Sequence, residues 1–547
     1  MRQSGIPFAE AGRFEQPRLY NHSIGTFNAV EYGAICPQHS IGAILTTGSE
    51  DRSLLGEVDS EIGPIVGILV ESIYSFSANR SEDCLFINVQ TPQNISSDAA
   101  LPIIFWIHGG GFEVGSPVSD ISETDILRAA LFNYNPGRLL RTAVEIDQPV
   151  IMVSANHRLN AFGFSASREM EEAGLLNLGL EDQRVALQWV QEHIAEFGGD
   201  PSKVTLMGDS SGSWSTVAHL LWDEGDTQGL FRAAIAMSGG PVAVDGPERQ
   251  QETFDNMVNQ TGCAGAPDKI ACFKEAKYED IVAHGAPLAG FHMDDPTRWE
   301  ALEGLTTSPH SCLTFTASRR QTGESKVEHA NKASRGLNAD MRDEGTFFTL
   351  VAQLETLTES DFRQYLHTTW WPHASNAQIE RLAQLYPADP AAGSPFGTGA
   401  LWATTPNFKR LAALVGDYSF QAQRRNLLAN YAGPAWNYVI DVEVPTAGLT
   451  GLLAGSRVAD ADCFFYVFAG LPGLLSTNTV NRQATILAFA RTLDPNKHGL
   501  DIPHWPAFTR DGRETYNLRE SGPRLEKDDY RWDAIEYINA NADSLVI

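Results

Sequence analysis

The sequence predicts an α/β chain built on a mostly parallel central sheet with helices on both faces. Three observations carry this. Leu101–Ile107 (LPIIFWI) and Pro149–Ala155 (PVIMVSA) are apolar at nearly every position, as strands covered on both faces must be. Strand-like runs alternate with stretches of helical period, the pattern of a doubly wound sheet. Val204–Met207 (VTLM) breaks off into a glycine-rich turn, GDSSG, and a helical stretch follows at once.

The remaining elements follow in chain order. Leu180–Phe197 places Val185, Leu187, Trp189, Val190 and Ile194 near helical spacing, and Gly198-Gly199-Asp200-Pro201 ends that helix. Ser213–Trp222 reads as a helix and Phe231–Met237 as a further strand. In the second half, helices are expected at Ser360–Leu366, Ala377–Tyr386 and Phe408–Tyr431. Segment 308–338 is polar with little apolar periodicity and is expected to be an irregular loop. With no repeat and no long linker, residues 1–547 are expected to form one domain.

Composition narrows the function. Of 547 residues, 43% are hydrophobic and 20% charged, a folded globular balance. No apolar run reaches the roughly 18 residues of a membrane span. A formal net charge of −28 repels a phosphate backbone, so nucleic acid is not an expected partner. None of the six cysteines forms a Cys-x-x-Cys pair, so neither a zinc ribbon nor a thioredoxin-like redox motif is expected, and no metal residues are assigned. Sequons at Asn21, Asn94 and Asn259 and an even cysteine count suit an oxidising compartment, although MRQSGIPFAEAGRF has no apolar leader core.

Two motifs carry chemistry. Gly208-Asp209-Ser210-Ser211-Gly212 fits a nucleophile elbow, in which a strand stops, a strained turn lifts a serine and a helix starts. A serine hydroxyl needs a base to take its proton. The second motif is His108-Gly109-Gly110-Gly111-Phe112, directly after LPIIFWI. Consecutive glycines let amides point into a cavity. The amides of Gly110, Gly111 and Ser211 are the expected oxyanion donors. No Gly-Lys-Ser/Thr follows, which argues against a phosphate loop.

The stretch FGGDPSKVTLMGDSSG (197–212) resembles the serine signature of type-B carboxylesterases, and EDCLFINVQTP (82–92) resembles their second signature. NHRLNAFGF, GLEDQRVALQWV, DEGTFF, WPHASNAQIE, SPFGTG and LDPN look like the fungal lipase and esterase branch. The resemblance covers nearly the whole chain. It implies an α/β-hydrolase fold, a Ser-Glu-His triad and cofactor-free hydrolysis of small-molecule or lipid esters by a secreted protein. By the same resemblance Ser210 is the nucleophile and Glu344 the acid. Cys36 pairs with Cys84, Cys263 pairs with Cys272, and Cys312 and Cys463 stay unpaired.

The chain departs from the family pattern in three places. It starts at GIPFAE, so the first N-terminal strands are expected to be missing. HANKASRGLNAD, ahead of DEG, offers almost nothing for a strand to bury. Chain order puts the triad histidine about a hundred residues after Glu344, where the sequence reads GLLAGSRVADADCFFYVF. Val458 or Asp460 aligns there, and no histidine stands between His373 and His498. Among the histidines elsewhere, His108 neighbours the pocket, His219 reads as core, and His373, His498 and His504 sit in structural contexts. Two readings stay open: a serine ester hydrolase, or an impaired homologue that binds a hydrophobic ligand or a protein partner.

Overall fold

The computed structural model describes residues 2–22, 25–38, 79–93, 95–117, 134–240, 246–284, 335–349, 352–431, 433–442, 477–519 and 521–546. Its centre is a sheet of ten strands. In chain order the strands are β1 (Arg2–Pro7), β2 (Ala9–Glu10), β3 (Arg18–Leu19), β4 (Phe86–Gln90), β5 (Leu101–Ile107) and β6 (Ile151–Ala155). They continue with β7 (Gly199–Asp209), β8 (Ala233–Met237), β9 (Arg335–Met341), β10 (Ala435–Asp441), β11 (Glu514–Arg519) and β12 (Arg524–Lys527). The spatial order is β1-β4-β6-β5-β7-β8-β9-β10-β11-β12, and β2 and β3 form a separate ribbon. Every pairing from β6 to β11 is parallel. Antiparallel pairs close both edges, β1 with β4, β4 with β6, and β11 with β12. RQSGIP thus supplies the first edge strand, and Ala9–Glu10 starts the ribbon.

The helices that matter here are α1 (Gly137–Glu145), α2 (Leu178–His193), α3 (Ser211–Leu221), α4 (Phe408–Gly416), α5 (Ala422–Asn430), α6 (Thr477–Thr492) and α7 (Trp532–Ala540). The unbroken apolar runs have a simple cause. On one face Ile104, Trp106, Met207 and Ile235 pack with Leu139 of α1 and Leu487 of α6. On the other, Ile103, Phe105, Val204 and Leu206 pack with Leu187 and Val190 of α2. Side chains alternate across a strand, so a sheet buried on both faces is apolar at successive positions. A large side chain buried this way contributes roughly 1.5–3 kcal/mol.

Segment 308–338 needs a correction. Residues 308–334 lie outside the described residues, but Arg335–Gly336-Leu337-Asn338 begins β9. Its composition hid it. Leu337, Ala339 and Met341 face the apolar core, while Asp340 on the opposite face meets the guanidinium of Arg424 at 2.9 Å. A central strand with one charged face is polar enough to read as loop. The helix expected over Phe408–Tyr431 is also interrupted, because Asp417–Gln421 forms a π-turn between α4 and α5.

Cys36–Cys84 and Cys263–Cys272 are disulfide-bonded, as the resemblance implied. Cys312 and Cys463 lie outside the described residues. Among the described residues no helix is long and apolar enough to cross a membrane.

Candidate active site

The elbow forms at the C-terminal end of β7, near the middle of the sheet. Ser210 has φ 54° and ψ −124°, a backbone state that non-glycine residues rarely hold. Two bonds impose it. The Ser210 amide donates to the Met237 carbonyl at 2.9 Å, and the Ser210 carbonyl accepts from the Trp214 amide at 3.0 Å. The flanking glycines are steric necessities, since a Cβ on Gly208 would collide with the Gly212 carbonyl and one on Gly212 with the Ile107 carbonyl. Ser210 is buried, at 6% exposure.

The glycine loop lies directly over this serine. A Cβ on Gly109 would stand 2.9 Å from the Ser210 Cβ and 2.8 Å from the Asp209 carbonyl. Gly110, Gly111 and Phe112 follow with φ of 120°, 62° and 62°. The Gly110 carbonyl accepts the amides of Glu113 and Val114, both at 3.1 Å, which closes the loop into a tight turn. The Gly110 and Gly111 amides make no hydrogen bond among the described residues. Ser211 opens α3, so its amide has no intrahelical partner.

Glu344 sits in the turn just after β9. Register explains its proximity to the elbow: Asp209 pairs with Met237, and Met237 with Ala339. The elbow and the acid therefore leave the same edge of the sheet, two strands apart. Glu344 is buried, and its Oε1 accepts the Met341 amide at 2.6 Å. The next residue, Gly345, packs so closely on α4 that a Cβ would meet the Ala412 carbonyl. Asp343 ties down the 394–396 loop, accepting the Phe396 amide at 2.8 Å and the Ser394 hydroxyl at 3.2 Å.

The buried histidines have other duties. His108 stacks on His157 with ring centroids 4.4 Å apart, and its Nδ1 faces the Gly109 carbonyl at 2.9 Å. Burial pushes His108 down to about 4, against the partial support of that carbonyl. His157 is also held well below the usual range, by burial first and then by His108 and His219. His219 bonds the Gln183 side chain at 2.8 Å, and His498 Nδ1 accepts the Leu500 amide at 3.0 Å. His373 and His504 are exposed. Val458 and Asp460 lie outside the described residues.

The structure adds residues that motif reading missed. Glu113, immediately after HGGGF, is half-buried, and desolvation pushes its carboxyl up to about 8. An ionisable residue inside a glycine-rich loop was the available signal. The Met341 amide and the side chains behind it, Gln421 and Arg424, had no such signal, because only tertiary packing brings them to Glu344.

The carboxylesterase family profile matches residues 3–532. The chain belongs to the carboxylesterase family. Lipase 5 of Diutina rugosa is 33% identical, with 96% of this chain and 90% of that protein aligned. A secreted triacylglycerol lipase of Gibberella zeae is 32% identical over 99% of this chain and 87% of its own. The crystal structure of Aspergillus niger EstA superposes with a TM-score of 0.71 at 22% identity, covering all of this chain and 95% of that one, which establishes the shared fold. In this carboxylesterase the α/β-hydrolase fold places a serine elbow, a glycine loop and a buried carboxylate at one edge of the sheet.

Proposed function

We propose that this carboxylesterase-family chain is a carboxylic ester hydrolase that acts on small-molecule or lipid esters through an acyl-enzyme on Ser210. The observation that carries the reading is the strained Ser210 turn beneath the Gly109–Gly111 loop. Ser210 Oγ attacks the ester carbonyl carbon. The oxyanion that forms is stabilised by the amides of Gly110, Gly111 and Ser211. Ser210 gives its proton to a neighbouring proton-accepting group, which passes it to the leaving oxygen as collapse breaks the acyl–oxygen bond and releases the alcohol. Water, giving up a proton by the same route, then frees the acid and returns the proton to Ser210. Glu344 is the acid that orients the proton-accepting group. No histidine stands between His373 and His498, so that group is not a histidine at the family position. Losing one triad member typically costs orders of magnitude in rate and leaves the contribution of the oxyanion hole and binding.

The same missing histidine favours a second reading, an impaired homologue that keeps the pocket to bind a hydrophobic ligand or partner. Secretion belongs to the proposal, supported by two disulfides and by relatives named as secreted lipases. A fluorophosphonate probe separates the readings. Stoichiometric labelling at Ser210, lost in Ser210→Ala, supports the hydrolase. A folded protein that does not label supports the binding homologue.

A further inference from the structure

We infer that Gln421 is a positioning residue for the Glu344 carboxylate, locked in place by Arg424 and the C-terminal segment around Tyr530. The inference rests on the proposed role of Glu344. Glu344 Oε1 takes its amide proton from Met341, the last residue of β9. The backbone around Met341 is therefore one of the supports that place the carboxylate. The peptide that follows Met341 is held at both ends. Its carbonyl accepts Gln421 Nε2 at 2.8 Å, and its amide, on Arg342, donates to the Ile440 carbonyl of β10 at 3.1 Å. One support is a sheet rung, and the other is a single side chain.

Gln421 ends the π-turn Asp417–Gln421. Such turns insert a residue into a helix and redirect side chains, and they recur at functional sites. The orientation of the Gln421 amide is decided by its neighbours. Its Oε1 accepts from Arg424 Nη2 at 2.9 Å and from the Tyr530 hydroxyl, which leaves Nε2 facing Met341. Arg424 also holds the residue on the other side of Met341. Its Nε donates to Asp340 at 2.9 Å, and its Nη1 donates to Asp528 at 2.6 Å. All of these groups except Tyr530 are essentially fully buried. The segment Asp528–Tyr530, which follows the edge strand β12, is thus tied through Arg424 and Gln421 to the end of β9, three strands further in.

The test is a double-mutant cycle on the full-length protein, read by the rate of fluorophosphonate labelling at Ser210. Gln421→Leu is expected to slow labelling about tenfold in the parent and to add nothing in the Glu344→Gln background. An equal loss in both backgrounds, or none in the parent, overturns the inference, because either result disconnects Gln421 from the carboxylate. Tyr530→Phe, which keeps the ring and removes the hydroxyl that donates to Gln421 and accepts from Arg424 Nη2, gives a smaller loss in the same direction and serves if Gln421→Leu does not fold. A parent that does not label refutes the proposed hydrolase. Hydrogen exchange of the Met341 amide then decides the positioning role separately. Gln421→Leu and Glu344→Gln each speed exchange about tenfold, and the double variant exchanges no faster than the faster single one. Multiplicative effects overturn the inference.

Discussion

Gly109→Ala is the sharpest probe of the contact between the glycine loop and the nucleophile. The added methyl would stand 2.9 Å from the Ser210 Cβ and 2.8 Å from the Asp209 carbonyl. Comfortable carbon–carbon separations are about 3.5–4.0 Å, so loop and elbow must part by roughly 0.6–1 Å. Neither side yields easily. The elbow is held by the Met237 carbonyl, and the loop is closed by two amides on the Gly110 carbonyl. Overpacking of this kind costs about 1–3 kcal/mol. A displacement near 1 Å at the reacting atoms costs up to about a hundredfold in rate. The assay pairs thermal unfolding with the fluorophosphonate labelling rate at Ser210, using Gly265→Ala as control, where a Cβ meets nothing within 4 Å. The variant is expected to melt lower than the control and to label about ten- to a hundredfold more slowly than the parent. Melting equal to the control with labelling within threefold of the parent would refute the reasoning.

Two further outcomes follow from the site. Glu113 is held near 8 in the fold against 4.5 in the unfolded chain, so burial disfavours its ionised form and the resulting penalty grows as pH rises from 4.5 to 8. Glu113→Gln removes the titration and is expected to unfold at higher denaturant than the parent at pH 8. That advantage shrinks by about 1.4 kcal/mol per pH unit as pH falls toward 4.5, and a pH-independent difference would sink the assignment. Val458→His and Asp460→His each place an imidazole at one of the two positions that the family resemblance offers for the base. If Glu344 and the elbow are otherwise competent, one of them raises p-nitrophenyl ester hydrolysis by at least tenfold, in a Ser210-dependent way, and no gain from either would show that more than the base has been lost.

The clearest lesson on legibility comes from β9. Arg335–Met341 looked like loop because its sequence, RGLNADM, carries charge and amide groups in a central strand. Strand signals read from one sequence assume that a buried face is apolar. Here the buried face opposite the core is balanced by Arg424, which is 84 residues away in the chain. The π-turn was hidden for a related reason, since its helix keeps its apolar period on either side of the inserted residue.

What the sequence determined by itself was local. The apolar runs of β5 and β6, the glycines of the elbow and loop, and the strand–turn–helix order at Ser210 each depend on neighbours within a few residues, so their causes are written in order along the chain. The lack of a histidine between His373 and His498 is equally a fact of sequence. Only the tertiary structure decided where Glu344 stands, which groups hold it, and that the glycine loop rests on Ser210. Parallel strands far apart in sequence bring those residues to one edge of the sheet. The balance of a buried charge is set by partners that no local pattern names.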